Sequence, residues 1–136
     1  VSYLIDTNVL SELRRKLPHP GVSVWFAQRP ASSLYMSVLT LGELRKGIDG
    51  LNDEDRKLAL SDWLHTELSM FFLGRVLSID EQVADRWGQL VAAAGRPLPA
   101  IDSLLAATAL VHGLTVVTRN AKDFEGLGLA VINPWS

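Results

Sequence analysis

The chain has 136 residues, 48% of them hydrophobic and 21% charged, with 13 Lys and Arg against 15 Asp and Glu and no cysteine. That length suits one domain able to bury about two-thirds of its unfolded surface, and the composition excludes a disordered chain. Absent cysteine excludes disulfide scaffolds, thiolate-held metal centres and thiol catalysis, and a net charge of -2 argues against a broad basic DNA-binding face. The longest apolar run, Leu104 to Val111, is far below membrane-spanning length. No basic segment precedes Asp6 as in a secretory leader, so a cytoplasmic protein is expected.

Tyr3-Leu4-Ile5 reads as a short buried strand ended by Asp6-Thr7-Asn8. Thr7 or Asn8 is predicted to cap a helix with Val9, Leu10 and Leu13 inward and Glu12, Arg14, Arg15 and Lys16 outward. Pro18, Pro20 and Gly21 break it, and residues 22–28 form a second short helix. Residues 34–38 read as the second strand, followed by a helix over 39–48 with Leu41, Leu44 and Ile48 at core spacing. Residues 53–72 repeat the helical pattern with Leu58, Leu60, Leu64 and Leu68, until Gly74. The third strand spans 75–79, and Asp80 caps a helix to Ala94 with Val83, Trp87, Leu90 and Val91 inward. After the rigid turn 95–99, residues 101–112 form an apolar helix ended by Gly113. Residues 114–117 and 130–132 are the fourth and fifth strands, separated by a single helical turn around Asp123. Unbroken apolar strands alternating with helices predict an α/β sandwich with a parallel sheet covered on both faces.

In open parallel sheets, ligands bind beyond the carboxyl ends of the strands. Asp6 follows the first strand, and Thr118, Arg119, Asn120 and then Asp123 follow the fourth. Glu43 and Asp102 are acids inside otherwise apolar helical stretches. Each has an ordinary reading: Asp6 as a helix cap, Glu43 paired with Lys46, Asp102 as a cap or first-turn dipole partner, Asp123 capping with Asn120. Asp80 stays a helix cap. Brought to one sheet end, the four carboxylates repel, so either some keep protons or a cation neutralises them. Oxygen-only, carboxylate-rich sites suit Mg²⁺ or Mn²⁺, which generate a hydroxide nucleophile and stabilise charge on a phosphodiester.

Asp6-Thr7-Asn8-Val9 after a buried strand, Thr40-Leu41-Gly42-Glu43-Leu44, Ile101-Asp102 opening an alanine-rich helix, and Thr118-Arg119-Asn120 followed by Asp123-Phe124 together resemble the PIN domain. The closer likeness is to VapC-type toxins of bacterial toxin–antitoxin pairs, including the FitB-like branch. It runs over essentially the whole chain, with the acids 37, 59 and 21 residues apart in the family's order. The resemblance implies a PIN-domain α/β/α sandwich with a central five-stranded parallel sheet, as a single domain over 1–136. It implies an endoribonuclease dependent on one or two Mg²⁺ or Mn²⁺ ions. Asp6, Glu43, Asp102 and Asp123 take the places of the four acids, and Thr118 that of the supporting hydroxyl, with Asn8 beside it. The resemblance further implies an RNA substrate, a homodimer and a cognate antitoxin, with operator DNA contacted only through that antitoxin.

Arg14, Arg15, Lys16, Arg45, Lys46, Arg119 and Lys122 flank the acidic motifs and are candidate RNA-phosphate contacts, against an ordinary reading as solvated helix faces. Without the four acids, 11 acids face 13 bases. His19, His65 and His112 form no metal-spaced pair, and no G-x-S-x-G elbow, Walker loop or G-x-G-x-x-G occurs. Trp25, Trp63, Trp87 and Trp135 are expected in the core or at an interface; Trp63 with Leu60, Leu64 and Phe71 is a candidate dimer or antitoxin surface. Two other functions compete. A receiver-type phosphoacceptor domain has an acidic pair after its first strand and a lysine after its last, whereas Asp6 precedes Thr7-Asn8 and no lysine follows Val131-Ile132. A PIN-like module that only binds partners does not require all four acids.

Overall fold

In the computed structural model, which describes residues 1–136, five short strands form one parallel sheet. After β1 (Tyr3–Ile5), α1 (Thr7–Leu13) and α2 (Pro20–Ala27) lead to β2 (Leu34–Ser37). Then α3 (Val38–Asp49), α4 (Glu54–Trp63), a π-helical turn (Leu64–Leu68) and α5 (Ser69–Phe71) lead to β3 (Val76–Leu77). The pair α6 (Glu81–Ala93) and α7 (Ala100–His112) precedes β4 (Thr115–Val117), and a 3-10 turn (Ala121–Phe124) precedes β5 (Val131–Ile132). The strand order is β3-β2-β1-β4-β5, so the winding reverses between β1 and β4. That reversal opens the crevice where parallel sheets hold ligands.

Strand periodicity divides the core into two layers. Ile5 and Val117 join Val9, Leu10, Leu44, Ile48, Leu68 and Phe72 on one face, while Leu4 and Val116 join Leu90, Leu105, Ala106, Ala109 and Phe124 on the other. Thus α1 to α5 cover one face and α6 with α7 the other. Alanine at 106 and 109 lets α7 lie close to its neighbours. Gly113 ends it in the left-handed conformation (φ 67°), which glycine adopts without strain. In β1 and β4, Ile5 pairs with Val117, so the two strands end level and hand Asp6 and Thr118 to the same place.

The structure corrects three local expectations. Leu58 is 67% exposed and Val91 38%, although both were assigned inward. Leu60, Leu64, Leu68 and Phe72 step by four along one stripe, and Leu58 stands on the opposite side of the helix. On α6 the inward stripe is Val83, Trp87 and Leu90, and Val91 lies one step beyond it. The helix expected over 53–72 is interrupted by the π turn. There the Ser69 hydroxyl donates to the Leu64 carbonyl (2.9 Å) and the Thr66 hydroxyl to that of Asp62 (2.7 Å), so side chains compete with the regular helical ladder.

Candidate active site

Asp6 caps α1: its Oδ1 accepts from the Thr7 backbone N–H at 2.7 Å. Of the two cap readings, Asp6 itself and Thr7 or Asn8, the structure takes the first; Thr7 and Asn8 lie within the first turn and are free for other bonds. Asp6 Oδ2 accepts from the Thr118 hydroxyl at 2.7 Å and, at 3.4 Å, from Asn8 Nδ2. The Thr118 oxygen in turn accepts from Asn8 Nδ2 (3.2 Å) and the Asn120 N–H (3.0 Å). Asn8 Oδ1 accepts from the Arg119 N–H (3.2 Å), so one asparagine ties the end of β4 to the start of α1. Asp6 and Thr118 are both buried, and every polar atom they present there is engaged.

The other three acids approach Asp6 from separate elements, Glu43 and Asp102 into its cleft and Asp123 beside it. Glu43, in α3, forms no ion pair with Lys46; its Oε1 accepts from the Thr7 hydroxyl at 2.5 Å. Asp102 lies in the first turn of α7, whose cap is Pro99 with no side-chain bond. Asp123 stands in the 3-10 turn after β4, where Asn120 likewise makes no side-chain cap. Asp102 and Asp123 lie close enough for each carboxyl to act on the other.

The charges act on each other. Burial raises the Asp6 pKa, against the Thr118 and Thr7 bonds, and the charges of Glu43 and Asp123 raise it further. Asp102 is raised to about 7, first by burial, then by the neighbouring Asp123 carboxyl and by the charges of Asp6 and Glu43. The folded chain therefore holds the Asp102 proton more tightly than the unfolded chain does. The stability this group contributes is full below its ordinary value of 3.8 and is lost as pH rises through about 7. In cation-free protein, Asp102→Asn is expected to exceed the parent by about 1–2 kcal/mol at pH 8 and by little at pH 5, allowing for solvent screening of a half-buried group. Urea unfolding in chelator at both pH values checks this; the same difference at each pH would contradict it.

The acids border an open cleft of 510 Å³ whose lining includes Asp6, Glu43 and Asp102 with Glu12, Arg15 and Arg119. Asp123 faces an adjoining hollow with Lys122 and Arg119. Lys46 borders the far side of Glu43. Arg14 lies over the Trp63 ring, and Arg45 is held by Asp49 (3.0 Å), Ser61 and His65. Lys16 lies in a separate hollow with Arg15 and Arg56.

Glu12, expected outward with Arg14, Arg15 and Lys16, is buried. It is 5% exposed, accepts from the His19 N–H at 2.9 Å and pairs with Arg15 at 3.3 Å. The His19 amide, chiefly, holds its carboxyl below the usual range. Its spacing was the available signal: Asn8 and Glu12 stand four apart on one helical stripe. Trp135 also lines the cleft, a position its sequence context did not reveal.

No three Asp, Glu, His or Cys side chains are arranged as ligands about one point. The donor chemistry still fits a hard divalent cation: the acids offer only oxygens, and their mutual repulsion, which raises the Asp102 pKa, is what a bound cation would offset.

Comparison with known proteins agrees with this geometry. The PIN domain matches residues 3–128. Toxin FitB of Neisseria gonorrhoeae is 38% identical over 135 residues, covering 97% of each chain. A VapC ribonuclease of Sinorhizobium fredii is 36% identical over 135 residues, covering 97% of this chain and 96% of its own. The crystal structure of FitAcB from Neisseria gonorrhoeae matches with a TM-score of 0.92 at 37% identity, covering 98% of both chains. That of FitAB bound to a DNA fragment matches with 0.92 at 34%, covering 98% of this chain and 96% of the other. The chain belongs to the PIN-domain family, in the VapC-type branch that includes FitB.

Proposed function

We propose that this chain is the endoribonuclease toxin of a toxin–antitoxin pair, acting as a single domain that hydrolyses RNA phosphodiesters in the acidic cleft. The observation that carries the reading is the set of four acids in one another's field at the β1/β4 crevice, with Asp6 fixed by Thr118 and Asn8. The relative named VapC ribonuclease supports the chemistry.

One or two Mg²⁺ or Mn²⁺ ions are the proposed cofactor, with Asp6, Glu43, Asp102 and Asp123 as the residues that hold them. When bound, such an ion lowers the pKa of a water and offsets charge developing on the phosphodiester. The chain's own residues orient the acids. Thr118 and the Thr7 amide fix the two oxygens of Asp6, and the Thr7 hydroxyl fixes Glu43. In cation-free protein Asp102, raised to about 7, keeps a proton near neutral pH that a bound cation would displace. Arg15, Arg119 and Lys122 stand where RNA phosphates would approach, and Lys46 borders Glu43. Arg14 and Arg45 would reach RNA only by giving up their contacts with Trp63 and Asp49.

A cognate antitoxin is the proposed partner, and operator DNA is reached through it; the FitAB complex on DNA supports both. Leu44, Ile48, Leu60 and Trp63 line a groove of 230 Å³ between α3 and α4, flanked by Arg14 and Arg56, which suits an amphipathic partner helix. Leu64, expected on this surface, is instead in the core. A homodimer is proposed with it, as exposed Met70 and Leu73 leave an apolar surface beside Phe71. No helix is long and apolar enough to cross a membrane, and a cytoplasmic setting is proposed. Purified protein without partner is expected to cut an RNA pool in Mn²⁺ and not in chelator. Folded protein that leaves every RNA intact in Mn²⁺ would overturn the nuclease reading.

A further inference from the structure

One wall of the cleft carries none of the four acids. Trp135 is the only apolar side chain among the lining residues. It also packs against the core layer that holds Ile5 and Val117, so it is anchored and partly open at once. The Arg119 guanidinium lies over its ring, 5.3 Å from the centroid.

The backbone of both residues is held in place. Asn133 Oδ1 accepts from the Trp135 N–H at 2.9 Å, and the Arg119 N–H is tied to Asn8. The turn that carries Trp135 is seated against the α1–α2 corner. A Cβ on Gly21 would meet the Pro134 carbonyl at 2.8 Å, so only glycine permits this approach. Glu12 is near enough for the Arg119 charge to act on it, which gives the guanidinium an anionic neighbour besides the ring. A tryptophan that served only the core would not border three acids in a polar cleft.

An indole with a planar guanidinium laid over it offers a π surface and a positive charge already ordered before binding. Unpaired bases stack on such surfaces regardless of sequence, whereas duplex bases have no free face. We infer that Trp135 and Arg119 form a stacking platform for one unpaired base beside the phosphate that is cut. The inference rests on the nuclease reading for the identity of the strand.

The test measures RNA binding in Mn²⁺ by the Asp6→Asn protein, so that binding is read without cutting. Two probes are used: a short unstructured RNA of mixed sequence, and a strand of equal length whose nucleotides are abasic. Adding Trp135→Leu is expected to weaken binding of the base-bearing strand about tenfold and to leave the abasic strand within about twofold. Trp135→Phe is expected to recover most of the loss. Equal loss on both strands, or none on either, overturns the platform. Should Trp135→Leu fail to fold, Arg119→Gln at an exposed position carries the same comparison: a larger loss on the base-bearing strand supports the platform and an equal loss overturns it. Cleavage of the same RNA by the parent reads the nuclease function separately. An inactive parent with base-dependent loss removes the nuclease reading and keeps the platform; an active parent without it removes the platform alone.

Discussion

Asp6→Asn is expected to lower RNA cleavage by about a thousandfold or more while the protein stays folded, since losing several kcal/mol of charge stabilisation gives a rate change of that order. Asparagine is as good a helix cap as aspartate, so α1 keeps its start. Burial and the charges of Glu43 and Asp123 oppose ionisation of Asp6, so a neutral side chain relieves the cation-free fold instead of straining it. Cleavage rates and melting curves in parallel check both halves. A folded variant that keeps a tenth of the parent's activity would remove Asp6 from the chemistry. Asp6→Ala separates the roles, because it also takes away the cap, worth about 1 kcal/mol, and the acceptor of the buried Thr118 hydroxyl.

Thr118→Val is the second substitution with a large expected effect. The shape is kept and one hydroxyl is lost. That hydroxyl donates to Asp6 and accepts from Asn8 and Asn120 in a place with no room for substitutes. Groups that orient a metal-holding carboxylate typically account for 10- to 100-fold in affinity or activity, and about that loss is expected here. Stability should fall by about 1–3 kcal/mol as buried partners go unpaired. Its bond lowers the Asp6 pKa, so the variant's activity profile should also move to higher pH. Thr118→Ser should keep most of the activity. A Thr118→Val protein with the parent's rate and pH profile would reduce the residue to a strand end.

Much of this was legible because the signals were local. Apolar triplets such as Tyr3-Leu4-Ile5 and Thr115-Val116-Val117 can only be short buried strands when polar turns close them, and the parallel-sheet rule then sends Asp6 and Thr118 to the same edge. Asp80 reads as a helix cap from its neighbours and is one, accepting from the Val83 N–H at 2.9 Å.

What was not legible depends on tertiary placement. Thr7, Asn8 and Asp6 are all good cap residues; Asp6 takes the role because its side chain is also held by Thr118, over a hundred residues away. Arg45 looks like a phosphate contact beside Glu43, but an α-helix turns it roughly 200° away, to Asp49 and Ser61. Glu12 looks solvated among arginines and is buried because the α1–α2 corner brings the His19 amide onto it. Asp102, on α7, and Asp123, in the turn after β4, come within each other's field, and no spacing in the chain announces it.

The central claim is that these acids hold one divalent-cation site. Titration of the parent, Asp6→Asn and Asp102→Asn with Mn²⁺ by calorimetry at pH 7 tests it most directly. The parent is expected to bind Mn²⁺ and to release a proton from Asp102 as it does so. Both variants are expected to bind about tenfold more weakly or worse, with proton release lost in Asp102→Asn. Equal Mn²⁺ affinity in all three proteins, or no binding to the folded parent, would contradict the claim.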